Sequence, residues 1–470
     1  MSQLKEIHVP GLLTCRAPRA LDGGPLAFVA VKWLAVVAAA MSLATGAPAR
    51  VAGTTRTAPC PSVLIGKSDL GRMAFVDRGQ LRVLMVASCR TRTLVSRGVG
   101  APVRWSADGR YLAYGAGKVV PAGGGVPTSP LGHLSFGWGS GVPGWVWSPV
   151  GHRLVGVTAG GGVLVGGPGA PSERLLPDGW GATSVAWSPD GQTLAVSRSL
   201  YPEASPPHHQ EIWLLDLSTG AKRMLFALPR GKVAPPLLSG FSPDGKWLLA
   251  WEDTDNSASL AADGLPLATI AVKDGRAVPV GKGTLVYGDF VSWCTGNLLA
   301  YVDNTGGRQV TLNDRVNFAG PAPNWPVVTP AGPGAKAQLS FVSPSCSPPG
   351  LFMVAAAVGP TTQDEPFGHE HRRIWVLPYT GGNWRPLEAP PPKGSTDELP
   401  LWSSDGHWVA FIRTTWTGTA GAGYLYLLYL GSVNHFNGHA LLVGPIAPLG
   451  TTSNYYGHYN WAAQVAWYSR

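Results

Sequence analysis

Charge is scarce in this chain. Asp, Glu, Lys and Arg make up 13% of 470 residues, about half the usual share of roughly 25%. That excludes a self-repelling disordered chain, which needs high charge and low hydrophobicity. The formal net charge is +9, yet no run of Lys and Arg occurs. A nucleic-acid binder concentrates its cations on one face, so no nucleic-acid partner is expected. Cysteines number only 5, and none stands in a C-x-x-C or His-Cys spacing suited to zinc. Past residue 50 there is no apolar run long enough to span a bilayer and no useful helical periodicity. Gly (62), Pro (43) and Trp (19) are abundant instead. Turn formers with aromatics suit an all-β protein of many short strands.

The first 49 residues concern address. Residues 33–49, WLAVVAAAMSLATGAPA, are apolar and follow Lys32, with Arg16 and Arg19 further back. Ala47-Pro48-Ala49 fits the A-x-A cleavage pattern of a secretory signal. The same segment can instead stay as an N-terminal anchor, since residues 25–47 are long enough to span a bilayer. Both readings put the remainder outside the cytoplasm, periplasmic, surface-bound or secreted. Contact with a membrane is expected only through this segment. Residues 50–65 read as a lead-in, and 66–470 as one domain.

One motif recurs through that domain. The clearest copy is SVAWSPDGQTLAVS at residues 184–197. Aligned on the aromatic residue, copies fall at Trp105, Trp147, Trp187, Phe241, Trp293 and Trp402, with a degenerate copy near Phe341. Their spacing is that of propeller blades, not of a helical solenoid. The residues before Ser-Pro form a strand. Asp-Gly then turns the chain, because Gly accepts positive φ and Asp bonds its own backbone. Asp190, Gly191, Asp244 and Gly245 are therefore structural, as are the aromatic residues. An apolar run after the turn makes a second strand, buried on both faces. Third and fourth strands follow, as in 211–217 and 218–228.

Four antiparallel strands cannot bury both faces alone, so blades must stack around an axis. Residues 71–96 read as three strands lacking a first. The tail WAAQVAWYSR, with Trp467, reads as a first strand with nothing after it. Together they predict a composite blade that latches the ring and hides sheet edges. The count is eight blades; seven is the alternative, because residues 117–145 are poor in strand signals. Cys15 falls in the leader. Cys60, Cys89, Cys294 and Cys346 permit three pairings in an exported chain. The register favours Cys60–Cys89 and Cys294–Cys346, the latter two both near the first turn of adjacent copies.

The W-S-P-D-G turn with apolar flanks resembles the TolB-like propeller repeat, related to the WD-type propellers, over roughly residues 66–470. That resemblance implies the fold and says little of function. TolB itself is a periplasmic interaction component with an α/β domain ahead of its propeller, for which only a short lead-in is present here. Prolyl-oligopeptidase relatives carry an α/β-hydrolase domain, but no G-x-S-x-G elbow occurs.

Candidate sites lie in the insertions. His208, His209, His369 and His371 are weak metal candidates, with Glu370 beside them. No metal, cofactor or catalytic residue is expected from them, since the two loops lie three blades apart. Asp253, Asp255, Asp364 and Glu365 are loop acids, and a glycosidase needs two carboxylates about 5–10 Å apart. Trp180, Trp325, Trp384, Trp416, Tyr455, Tyr456 and Tyr459 either line a binding face or cover blade edges. The expectation is a monomeric, exported, non-enzymatic propeller that binds a protein or peptide. The alternatives are a carbohydrate-active lyase or glycosidase, or a carbohydrate-binding module.

Overall fold

The structure, a computed structural model, describes residues 60–132, 134, 144–200, 209–228, 236–252, 264–303, 315–320, 339–360, 371–378, 383–416, 420–431, 440–455 and 458–469. Ala58–Arg470 form one compact unit. It is all-β: eight antiparallel sheets arranged as the blades of a ring. Six carry four strands, and two carry three among the described residues. The seven-blade alternative is thereby set aside.

Blade 1 is the composite one. Val465–Tyr468 pairs with Arg72–Asp77, which pairs outward with Gln80–Met85 and then Arg90–Val95. The innermost strands of blades 2 to 8 are Val103–Trp105, Trp145–Trp147, Ala182–Trp187, Leu237–Phe241, Val291–Trp293, Leu339–Cys346 and Ser395–Trp402. The weak stretch after residue 117 does hold a strand, Lys118–Pro121, continued by a single bridge between Val119 and Thr128. The tail differs in one detail from its reading as continuous strand. Trp461–Gln464 is a helical turn, started by Asn460, whose side-chain oxygen accepts from the Ala463 amide.

Four of the repeat turns are built the same way. In blade 4 the Ser188 hydroxyl donates to Asp190 Oδ1 at 2.5 Å, and that oxygen also accepts from the Gln192 amide. The Thr193 amide returns to Ser188 Oγ. Ser106–Asp108, Ser242–Asp244 and Ser403–Asp405 repeat the set. Gly191 follows at φ 68°, where a Cβ is costly. The Ser188 hydroxyl and the Gln192 amide hold the Asp190 carboxyl below its ordinary range.

The motif tryptophans join blade to blade. Trp147 Nε1 donates to the Arg104 carbonyl, Trp187 to Val146, Trp402 to Ser345 and Trp105 to Ala466. Each acceptor immediately precedes the equivalent position of the preceding blade. Trp467 donates instead to Leu70, in the short turn Ser68–Leu70 just ahead of blade 1. Phe241 has no N–H to give. The indole N–H of Trp293 is buried with no partner.

This register corrects the degenerate copy. In blade 7 the aromatic position belongs to Cys346, not to Phe341. Ser347 Oγ accepts from the Met353 amide as Ser403 does from Trp408. A bulge between Val342 and Ser345 shifts the pairing, which hid the match. Cys294 takes the serine position of blade 6, and its amide donates to Leu298 as Ser188 does to Thr193. Cys294–Cys346 and Cys60–Cys89 are both disulfides.

Candidate functional site

The innermost strands of all eight blades line one axial channel of about 1200 Å³. The six motif tryptophans and Phe241 form much of its wall. Pro149, Pro189, Pro243, Pro344, Pro348 and Pro400 also face it. Among the described lining residues only Arg104 and Asp289 carry charge.

These two stand on opposite sides. Arg104 belongs to blade 2. Asp289 lies in the short turn Gly288–Phe290 that leads into the innermost strand of blade 6. In a ring of eight, blades 2 and 6 face each other across the axis. The chain between blade 8 and the latch strand touches both. His458 Nε2 lies 3.0 Å from Asp289 Oδ2, and Arg104 Nη1 donates to the Ala462 carbonyl at 2.7 Å. A segment bonded to opposite blades must cross the axis. Ala462 of this segment lines the channel, and residues 458–461 lie behind that lining. Trp461 fixes the crossing on the face away from the Asp-Gly turns, donating to Thr414 near the far end of Trp408–Trp416. The channel is a cup whose other mouth opens among those turns.

The floor is polar and tightly bonded. Ser343 Oγ donates to Asp289 Oδ2 at 2.8 Å. Ser343 holds φ 52° at the blade 7 bulge, a left-handed value that costs a non-glycine residue on the order of 1–3 kcal/mol. That backbone setting aims the hydroxyl at Asp289. The His458 ring lies 4.1 Å from Tyr287 and 5.1 Å from Phe290, centroid to centroid. Burial pushes the Asp289 carboxyl up, but His458 and the hydrogen bonds outweigh it and hold it below its ordinary range. Burial lowers the Arg104 guanidinium, and the Asp289 charge opposes that in part.

A second ionic cluster is sealed between blades 7 and 8. Arg413 grips Asp397 with Nε at 2.7 Å and Nη2 at 2.8 Å, and reaches Glu388 at 3.1 Å. Burial and the neighbouring Asp397 push Glu388 up to about 9, against the pull of Arg413. Burial likewise raises the Asp397 carboxyl, against the pull of Arg413. Arg372 and Glu398 pair beside them at 2.8 Å, both buried.

Of the loop candidates, only His209 and His371 fall among the described residues. His208, His369, Glu370, Asp253, Asp255, Asp364 and Glu365, with Trp325 and Tyr456, lie outside the described residues. His209 starts a strand of blade 4. His371 takes φ 67°, its amide donating to Ser395. Among the described residues no group of three or more His, Cys, Asp and Glu could hold a metal. Several aromatics pack between strands instead of forming a strip. Trp180 packs edge-on against Trp213 under Arg198, Trp384 and Tyr459 are buried, and Trp416 meets Tyr459. Tyr455 pairs through its backbone with His458. Reading the sequence missed Arg104, Asp289, Ser343 and His458. Arg104 did leave a signal: the residue before the aromatic is uncharged in the other copies.

No protein-family model matches the chain, and no curated protein is similar to it. Solved structures are. One is dipeptidyl peptidase 4 of Porphyromonas gingivalis, at 11% identity and TM-score 0.50, covering 82% of this chain and 58% of that one. A second is an oligogalacturonate lyase in complex with manganese, at 13% and 0.44, covering 76% and 96%. A third is a TolB of Agrobacterium tumefaciens, at 14% and 0.33, covering 85% and 99%. The chain spans between half and three-fifths of the peptidases that it matches first. At these identities the likeness shows the propeller fold. Two disulfides point to an oxidising, extracytoplasmic environment. Among the described residues no helix is long and apolar enough to cross a membrane.

Proposed function

We propose that this propeller is an exported binding module whose axial cup takes a peptide segment, entered from the Asp-Gly-turn face. One observation carries the reading: eight blades converge on a concave wall of aromatic rings, prolines and small residues. Such walls favour an apolar chain with few charges. The carbohydrate-enzyme alternative needs two converging carboxylates. The described channel wall supplies Asp289 alone, already bonded to His458 and Ser343.

The test is selection of a random peptide library on the immobilised chain. Ser239 is exposed and lines the channel, outside the indole bonds. Ser239→Trp puts an indole into the cup and should weaken selected peptides more than tenfold while the melting temperature holds. Undiminished binding to that variant overturns the reading, as does an oligosaccharide bound where no peptide binds.

A further inference from the structure

The cup is closed at one end, and its floor is asymmetric toward a ligand. Arg104 spends one nitrogen, Nη1, on the Val103 and Ala462 carbonyls at 2.8 and 2.7 Å. Its Nε and Nη2 make no bond within the described residues and are not sealed from solvent. Asp289 is the reverse. Its Oδ2 is committed to His458 and Ser343, and its Oδ1 is buried beyond the reach of solvent. A ligand descending the cup thus meets an open cation and a covered anion.

We propose that Arg104 anchors the terminal carboxylate of a peptide inserted end-on, its last few apolar residues against the aromatic and proline wall. A blind cup takes a chain end, not a chain passing through. Of the two ends, the carboxylate matches the open guanidinium, and an ammonium end would be repelled by it. A guanidinium presents paired N–H donors in the geometry a carboxylate accepts. Burial of Arg104 without a full partner, which lowers its proton affinity, is relieved by the incoming anion. This inference rests on the peptide-binding reading and narrows it to one end of the peptide.

The experiment uses a pool of acetylated pentapeptides built from Ala, Val, Leu and Pro. It is synthesised once as free acids and once as C-terminal amides, and titrated into the whole chain by calorimetry. Free acids should bind roughly tenfold to a hundredfold tighter than amides. The gap should close in Arg104→Met and persist in part in Arg104→Lys. The wild-type comparison needs no variant, so loss of the Ala462 contact on mutation cannot confuse it. Equal binding of acid and amide overturns the carboxylate anchor and leaves the peptide reading standing. Decanoate bound where neither pool binds makes the occupant a fatty acid, and overturns both. Failure of the acid pool alongside successful library selection overturns the anchor alone.

Discussion

Cys346 of blade 7 is bonded to Cys294 of blade 6 at the point where other blades place an indole. In the repeat register Cys346 stands where Trp402 stands one blade on. Its Sγ lies 3.7 Å from the Ser292 carbonyl, the acceptor that a tryptophan there would use. The disulfide is thus the covalent form of a blade-to-blade bond made elsewhere by hydrogen bonding.

From that equivalence, Cys294→Ser with Cys346→Ser should loosen the ring between blades 6 and 7. The bridge spans 52 residues, and loop-closure entropy for that length is worth about 4 kcal/mol. Urea unfolding should show a loss of that order. Cys294→Ser with Cys346→Trp should recover about 1 kcal/mol if the new indole finds the Ser292 carbonyl. No recovery would mean that the equivalence is one of sequence only.

The aspartate of each repeat turn gives a second prediction. Asp190 accepts from one hydroxyl and one amide and no cation. Asp190→Ala should cost about 1 kcal/mol, the net worth of such bonds. Asp108 makes the same bonds and also meets His152 of blade 3 at 2.8 Å. Asp108→Ala should therefore cost more than Asp190→Ala. Thermal melts of the two variants at pH 6 compare them directly.

The turns were legible because each is local in sequence; the blade count, both disulfides and the latch followed from the register that the repeated turns set. A Ser-Pro-Asp-Gly turn needs only neighbouring residues, and its repetition fixes the ring. The cup floor was not legible, because it is assembled across the ring. Arg104 and Asp289 face each other across the axis only if blades 2 and 6 are opposite, which depends on the count being eight. His458 sits in a two-residue strand outside any repeat. Cys346 escaped its true register because a bulge, held by Ser343 at positive φ, lengthened the strand before it. Glu388 and Asp397 come from different blades, and nothing in their flanks marks them as buried.

That carboxyl pair predicts an alkaline weakness. Glu388 titrates near 4.3 when unfolded and is pushed up to about 9 when folded. The folded chain keeps a proton that the unfolded chain releases. Its stabilising effect is complete below pH 4.3 and fades as pH rises toward 9. The slope for one proton is about 1.4 kcal/mol per pH unit, so stability should fall by up to ~3 kcal/mol from pH 6 to 8. The turn aspartates act oppositely, through carboxyls held below their ordinary range, and only in acid. Glu388→Gln keeps a neutral hydrogen-bonding group and should flatten the alkaline limb. Denaturant midpoints from pH 5 to 9 read both curves. An equal slope in the variant would assign the fall to other groups.

The latch gives the last prediction, from Gly71. This residue has φ 62° and lies directly against the strand that closes the ring. A Cβ there would drive into the Tyr468 carbonyl, a backbone atom that cannot rotate aside. Arg72 pairs with Tyr468 and Phe75 with Val465, so the clash falls at the start of the strand pairing that holds blade 1 to the tail. Gly98 also has positive φ, at 70°, but a Cβ there meets nothing within 4 Å. Gly98→Ala should cost about 1 kcal/mol, for backbone strain alone. Gly71→Ala adds displacement of the strand and should cost several times that. Hydrogen exchange separates the causes: in Gly71→Ala the amides of 465–468 and 72–75 should lose protection while blade 4 keeps its own. Protection lost evenly around the ring would instead show that the closing strand is no more vulnerable than any other.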